Sequence, residues 1–400
     1  MKVAEIKTLK CDAGWRNYNF VKLTTEDGIV GWSEFDESFG PPGVGAVIEQ
    51  LGRRLVGQDV RAHERFFAEA SCLTRPSPGS VVGEAIGAME NALLDAKAKA
   101  LGVPCYELLG GKVRDKICVY WSHCPSWRVN HSRFFPPQVK TLDDVSRTAA
   151  EVRERGFTAL KTNIFIHEDE PGPYAWRPGF GVPFYPELNV DRKVLRNMRA
   201  HLEALRDGAG ADMDILIDLN FNAKAEGYLK ILREFEDFEF FWVEIDSHTP
   251  KALAYVRDHS RHPISSCETL IGLRQFMPYF DLQAMDVAIV DVIWNGAFQS
   301  LKIAALAEAH DVNVAPHNFY GHLCTMINAH FAAAVPNLRI MEIYIDRLPW
   351  DRELFSHEPE FEDGHLIVPD RPGWGIDPIE EAILAHPPQV TGGLLQYKRA

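Results

Sequence analysis

No two cysteines in this chain stand in a CxxC spacing, and the seven present follow no regular interval. That excludes a thiolate zinc cage and a framework of short disulfides, and the odd count fits a reducing compartment. Long apolar runs are also missing. None approaches the roughly 20 residues that span a bilayer, and the opening MKVAEIKTLKCDAGWR has no apolar signal core. These absences predict a soluble, cytoplasmic protein. Cations are scarce: 42 Lys and Arg face 56 Asp and Glu, a formal net charge of −14. Such a surface argues against nucleic acid and anionic membranes as partners. An anionic substrate would have to be met by locally placed cations or a metal.

What is present is an ordinary globular composition, 46% apolar and 24% charged, over 400 residues. That length exceeds what one core usually serves, so two domains or a barrel with an added module are expected. β-rich runs recur at 116–122, 157–163, 214–220, 240–246, 263–269, 287–292, 312–318 and 339–345. The last six start about one strand, one helix and two loops apart. Segments such as AFQSLKIAALAEAH between them have helical periodicity. Eight strands with helical crossovers predict a closed parallel barrel over 114–355. The long gap after residue 163, rich in Pro, Gly and aromatics, predicts a loop over one barrel mouth, with Tyr174, Trp176 and Arg177 in it. Residues 1–113 read instead as an α+β module, with a turn at Glu26-Asp27-Gly28 joining two antiparallel strands. Residues 356–400 return to mixed structure and are expected to pack back on that module.

Catalytic groups of parallel barrels sit at the C-terminal strand ends. Here those ends carry Lys161, Asn163, Asp218, Asn220, Glu244, Glu268, Asp291, His317 and Glu342. Strand alternation puts Asp218 and Asn220 on one face. Asp218, Glu244 and Glu268 lie on successive strands, and three converging carboxylates repel unless a cation holds them. All-oxygen ligands suit a hard divalent ion, Mg²⁺ before zinc. Each acid alone could equally cap a following helix. Asp291 and His317 follow on consecutive strands. A carboxylate bound to one imidazole nitrogen raises the basicity of the other, giving a general base; a histidine packed under a loop is the alternative. Glu342 is expected as a protonated acid donating to a developing oxyanion. Lys161 is expected to face His317 across the barrel.

These residues resemble the enolase superfamily, in its mandelate racemase-like branch. LIDLN, WVEID and SSCET are similar to that family's three metal-ligand strands, and DVIWNGAFQSLKIAALAEAHDVNVAPHN to its Asp–His dyad region. The resemblance covers nearly the whole chain. It implies an N-terminal α+β capping domain, a modified (β/α)₇β barrel and a C-terminal return to the cap. It also implies one Mg²⁺ per subunit held by Asp218, Glu244 and Glu268, a small-molecule carboxylate substrate, and a homo-oligomer. The shared half-reaction is removal of the proton α to that carboxylate. Where racemases of the branch have Lys-x-Lys, this chain has Lys161-Thr162-Asn163, so a second lysine base is absent. The Lys-x-Asn pattern is similar to some acid-sugar dehydratases. Those carry Asp-x-His on the third strand, where Asn220 stands here.

The expected activity is therefore a Mg²⁺-dependent dehydratase of aldonic or aldaric acids, with His317 serving both proton transfers. An epimerase or cycloisomerase using Lys161 and His317, and a metal-dependent binding protein without turnover, are the rivals. His123 is a further candidate acid. Asn163 and Asn220 are expected at the substrate, and Trp15, Arg16 and Tyr18, in an early loop of the cap, are expected to close over it. Arg16 would suit a distal carboxylate.

Overall fold

The computed structural model describes residues 1–38, 40–169, 172–180 and 188–389. The N-terminal module is a three-stranded antiparallel sheet, β1 (Val3–Asp12), β2 (Asn17–Thr25) and β3 (Val30–Phe35), backed by α1 (Val44–Leu55), α2 (His63–Leu73) and α3 (Ser80–Leu101). Gly28, at φ 80, makes the β2–β3 turn that the Glu-Asp-Gly stretch predicts. A short helix, α4 (Cys105–Leu108), leads to the barrel.

Barrel strand β4 (Lys116–Trp121) is followed by α5 (Ser126–Asn130) and α6 (Leu142–Glu154). Then come β5 (Ala159–Thr162), a small hairpin of β6 (Phe165–Ile166) and β7 (Tyr174–Ala175), and α7 (Arg192–Ala209). Next are β8 (Asp214–Asp218), α8 (Ala225–Glu234), β9 (Trp242–Glu244), α9 (Pro250–Asp258), β10 (Ile264–Ser266) and α10 (Leu273–Asp281). The circuit ends with β11 (Val287–Asp291), α11 (Val292–Asn295), α12 (Ala297–Glu308), β12 (Asn313–His317), α13 (His322–Ala334) and β13 (Met341–Ile343). Strands pair in parallel from β13 through β4, β5, β8, β9, β10 and β11 to β12. A bridge from Val314 to Leu338 closes the circle. All eight expected strands are present. Of the loop expected after residue 163, residues 170–171 and 181–187 lie outside the described residues; Trp176 is buried and donates its backbone N–H to Ile164.

Alternation explains why the barrel strands end in polar groups. Tyr120, Ala159, Leu216, Trp242, Ile289, Ala315 and Ile340 pack together inside the barrel, while Val119, Leu160, Ile217, Val243 and Val290 pack outward among the helices. Two residues on from the inner layer stand Ser122, Lys161, Asp218, Glu244, Asp291, His317 and Glu342. The apolar layer is a floor, and these side chains are the next layer up.

Of the C-terminal segment expected to pack back on the cap, residues 390–400 lie outside the described residues; the part before them reaches both units. β14 (Phe361–Glu362) and β15 (His365–Ile367) extend the sheet antiparallel to β4. Glu380 of α14 (Glu380–Ala385) accepts from Lys7 and Lys22 at 2.6 Å each.

His330 ties α13 to α4, its Nδ1 accepting from the Tyr106 backbone N–H at 3.1 Å. Burial pushes His330 down to about 4, and burial does the same to His131. The unfolded chain takes the proton near pH 6.5, so stability is complete above that pH and falls as pH drops, levelling off below about 4. The expected loss at His330 alone is about 3 kcal/mol. Urea titrations from pH 7 to 4 check it: His330→Gln should flatten the slope, and an unchanged slope would refute the assignment.

Candidate active site

Ligand atoms of Asp218, Glu244 and Glu268 lie within 4.8 Å of one another at the mouth of the barrel. Asp218 and Glu244 arrive by alternation on paired strands. Glu268 does not. Ile264 packs outward, and Ser265 pairs with Glu244, so alternation would send residue 268 outward again. Cys267, at φ 93, breaks the pattern and turns Glu268 into the cluster. Such strain in a non-glycine residue persists where the surroundings over-determine it. Asn220 is a second departure: β8 stops at Asp218, and Asn220, at φ 47, donates its backbone N–H back to Asp218 Oδ1 at 2.8 Å. Strand alternation therefore does not govern Asn220. Its side-chain oxygen faces Asn163 Nδ2 at 3.5 Å instead.

Burial pushes the Asp218 carboxyl up to about 7, reinforced by Glu244. Glu268 is raised as well, by burial and by Asp246. Asp246, buried two residues after Glu244, adds a carboxylate that alternation in WVEID makes legible but that the sequence reading overlooked. Glu244 Oε1 and Asp246 Oδ2 are buried with no hydrogen-bond partner. Converging carboxylates with orphaned oxygens fit a hard divalent cation.

Lys161 lies among these acids, 2.9 Å from Glu244, 3.4 Å from Glu342 and 3.9 Å from Asp218. Burial opposes its charge, but Glu244, Glu342, Tyr120 and Asp218 outweigh it and hold the ammonium protonated. His317 stands on the other side of Glu342. Its Nδ1 is 2.7 Å from Asp291 Oδ2, and its Nε2 is 3.5 Å from Glu268 and 3.9 Å from Glu342. Burial opposes the imidazolium, yet Glu268, the Asp291 bond and Glu342 together push it up to about 10. Tyr320 Oη donates to the same Asp291 oxygen at 2.8 Å, and the Trp294 backbone N–H donates to the other at 2.9 Å.

Glu342 corrects the expectation of a protonated acid. Burial favours its neutral form, but Lys161 and His317 flank it and hold it down to about 2. It accepts from Ser122 Oγ and, at 2.8 Å, from the Asn318 backbone N–H. An anion between two cations has no proton to give. Ser122, Asn318 and Tyr320 were not singled out from sequence, because nothing about a serine, an asparagine or a tyrosine in a loop marks it without its partner.

Asn163 is engaged through its carbonyl, which accepts from Ser126 Oγ at 2.8 Å and faces His123 Nδ1 at 3.4 Å. Burial pushes His123 down to about 3, so its ring is neutral. A neutral imidazole is a poor general acid, which counts against His123 in that role. In the cap, Trp15 stacks on Trp127 at 4.5 Å, while Tyr18 turns away toward Asp351 at 3.3 Å. Arg16 is buried, donates from Nη2 to the Phe319 carbonyl, and leaves Nη1 without a partner. The Phe319 ring lies 4.8 Å from its guanidinium carbon and 5.0 Å from the His317 ring.

Residues 144–382 match the family model described as enolase C-terminal domain-like, and residues 10–110 match the mandelate racemase / muconate lactonizing enzyme N-terminal domain. The chain belongs to the enolase superfamily, in its mandelate racemase-like branch. The fold of this superfamily member is the modified (β/α)₇β barrel with an α+β cap that the sequence leads one to expect. Among solved structures, it is similar to a Burkholderia xenovorans protein provisionally named an L-alanine-DL-glutamate epimerase and bound to magnesium and fumarate. The two are 75% identical over 100% of this chain and 99% of that one, with a TM-score of 0.98. Curated relatives include a D-gluconate dehydratase from Thermoproteus tenax, 29% identical over 96% of this chain and 73% of the relative. A D-galactonate dehydratase family member from Streptomyces bingchenggensis is 28% identical over 93% and 90%. Among the described residues, no helix is long and apolar enough to cross a membrane.

Proposed function

We propose that this enolase-superfamily enzyme is a Mg²⁺-dependent dehydratase of acid sugars. The observation that carries the reading is the setting of His317, bonded to Asp291 at 2.7 Å on one side and open toward Glu268 at 3.5 Å on the other. One base beside a carboxylate triad suits abstraction of a proton α to a carboxylate. Asp218, Glu244 and Glu268 would hold one Mg²⁺ per subunit. When bound, the ion supplies the positive charge that receives the substrate carboxylate and neutralises the enolate charge developing on it.

The rest falls to side chains of the chain itself. Glu268 is the largest of the charges that hold His317 protonated. With that carboxylate engaged by the cation the imidazole can lose its proton, and its neutral Nε2 then takes the α-proton while Asp291 stabilises the imidazolium that forms and fixes the ring. Lys161 donates toward the developing oxyanion. The electron pair of the broken C–H bond is first delocalised onto the carboxylate as an enolate and then forms the Cα–Cβ double bond as the Cβ–O bond breaks. His317 returns its proton to the departing hydroxyl, which leaves as water, and the enol ketonises to a 2-keto-3-deoxy acid. Glu342 remains ionised between Lys161 and His317 and orients both.

Asn163 and Asn220 are placed by this reading at the substrate rim. Arg16 takes the distal end: a buried guanidinium with an unpartnered Nη1, one ring away from His317, suits a second carboxylate and thus aldaric acids. The fumarate of the Burkholderia xenovorans relative is a dicarboxylate. Trp15 and Tyr18 hold the cap loop around it. Arg16→Gln is expected to raise KM for aldaric acids about 10- to 100-fold while changing KM for aldonic acids little. Equal loss on both would remove Arg16 from substrate recognition.

The name of that relative favours a second reading, epimerisation, which needs a proton carrier on each face. Lys161 and His317 reach opposite oxygens of Glu342, but Asn163 stands in the place of a second lysine. A screen of Mg²⁺-loaded protein against aldonic and aldaric acids decides between them. Semicarbazone-trapped 2-keto-3-deoxy product supports dehydration. Solvent deuterium in recovered, inverted substrate without keto product refutes it in favour of epimerisation.

A further inference from the structure

Barrel helices mostly cap themselves or go uncapped. Thr141 and Asp144 form a capping box on α6, Asp191 caps α7, and α8, α9 and α10 start with no side-chain bond from the N-cap residue. Two helices are treated differently. At α12, Glu90 of α3 accepts from the Phe298 and Gln299 backbone N–H groups at 3.1 and 3.4 Å, and Asn91 accepts from Ala297 at 2.7 Å. At α13, Glu34 of β3 accepts from Gly321 and Cys324 at 2.7 and 3.0 Å. Among the described residues these are the two barrel helices whose first-turn amides are met by cap-domain carboxylates. They follow β11 and β12, the strands that end in Asp291 and His317.

The Glu34 contact bears on the dyad through four residues. The segment 318–321 begins next to His317 and ends at the Gly321 amide that Glu34 holds. Within it, Asn318 bonds Glu342 and Tyr320 bonds Asp291. The Phe319 carbonyl is held by Arg16, and the Tyr320 carbonyl by Arg347 at 2.7 Å. Glu34 is itself buried, and a Cβ at Gly321 would come within 2.7 Å of its carboxylate. The glycine is what lets the acid reach the backbone, since at φ −76 its conformation suits any residue.

We infer that Glu34 is a positioning residue for the His317–Asp291 dyad, acting across the domain boundary by pinning segment 318–321 to the cap. The inference rests on the proposed role of the dyad, and its test needs no substrate. In Mg²⁺-loaded protein, the low-field ¹H resonance of the His317 Nδ1–H, assigned by its loss in His317→Asn, reports the dyad bond. Hydrogen exchange at Gly321 and Cys324 reports the pin. Glu34→Gln should accelerate exchange at both amides at least tenfold and broaden or remove the dyad resonance. Mg²⁺ affinity and far-UV circular dichroism should stay as in the parent. Gly321→Ala, which displaces the carboxylate without deleting it, should do the same if Glu34→Gln does not fold. Asp95→Asn is the control, because Asp95 is an equally buried cap acid holding Trp32 and Trp374 rather than the barrel mouth. It should lower Tm and leave the resonance in place. A dyad resonance unchanged in Glu34→Gln, or lost equally in Asp95→Asn, overturns the inference. Failure of the dehydratase reading would instead leave these signals intact and the substrate screen blank.

Discussion

His317→Asn is expected to lower kcat for dehydration by about four orders of magnitude, at the upper end of what a general base contributes, with KM and Mg²⁺ affinity nearly unchanged. Asparagine can still bond Asp291 through its amide, so the strand end and its partner remain satisfied. What it cannot do is carry a proton. The same imidazole is assigned both the α-proton and the departing hydroxyl, so its loss removes two proton transfers at once. Asp291→Asn keeps the ring, but an amide has one acceptor oxygen where Asp291 receives Trp294 on one oxygen and both Tyr320 and His317 on the other. Counter-charge and Nδ1–H tautomer are lost together, and the expected fall is again about 10⁴-fold. Single-turnover measurement on whichever acid the screen returns checks both. A His317→Asn variant within tenfold of the parent would transfer the chemistry to Lys161.

Glu244→Gln is expected to abolish activity for a different reason. Its carboxylate faces two ways: Oε2 to Lys161 at 2.9 Å, and Oε1 buried with no partner. An amide has one acceptor oxygen, so it can meet a cation or the Lys161 ammonium but not both, and its NH2 then points at the other positive charge. Mg²⁺ at 100 times its Kd should stabilise the parent by about 2.7 kcal/mol, readable as a rise in Tm that chelator reverses. In Glu244→Gln that rise should vanish, and kcat with it. A full Mg²⁺-dependent Tm shift in the variant would show that the ion is held elsewhere.

The parts legible in sequence are those fixed by period and position. Alternation in DILID and WVEID places Asp218 and Glu244 inward with no knowledge of neighbours, and the strand repeat brings Asp291 beside His317. The parts that were not legible depend on partners far away in the chain. Arg16, which sequence alone leaves as readily on the surface, is buried against rings from Trp15 to Tyr344. Glu342 reads as an acid of unknown charge until Lys161 and His317 close on it. Glu268 faces inward only because Cys267 adopts a left-handed conformation that periodicity does not foretell. Glu34 and Glu90 look like ordinary charges of the first hundred residues until the helices they cap are known.

Those two acids also limit how modular this protein is. The proposed role of Arg16 in the cap invites grafting: transplant the N-terminal hundred residues of a relative, and on that proposal the barrel should inherit a new specificity. Here the donor would also have to supply the starts of α12 and α13. A chimera lacking acids at the equivalents of Glu34 and Glu90 would acquire new substrate contacts and misplace the dyad meant to act on them. Exchange of specificity by recombination is therefore confined to donors that carry both carboxylates, whereas point changes in the loop around Arg16 remain open.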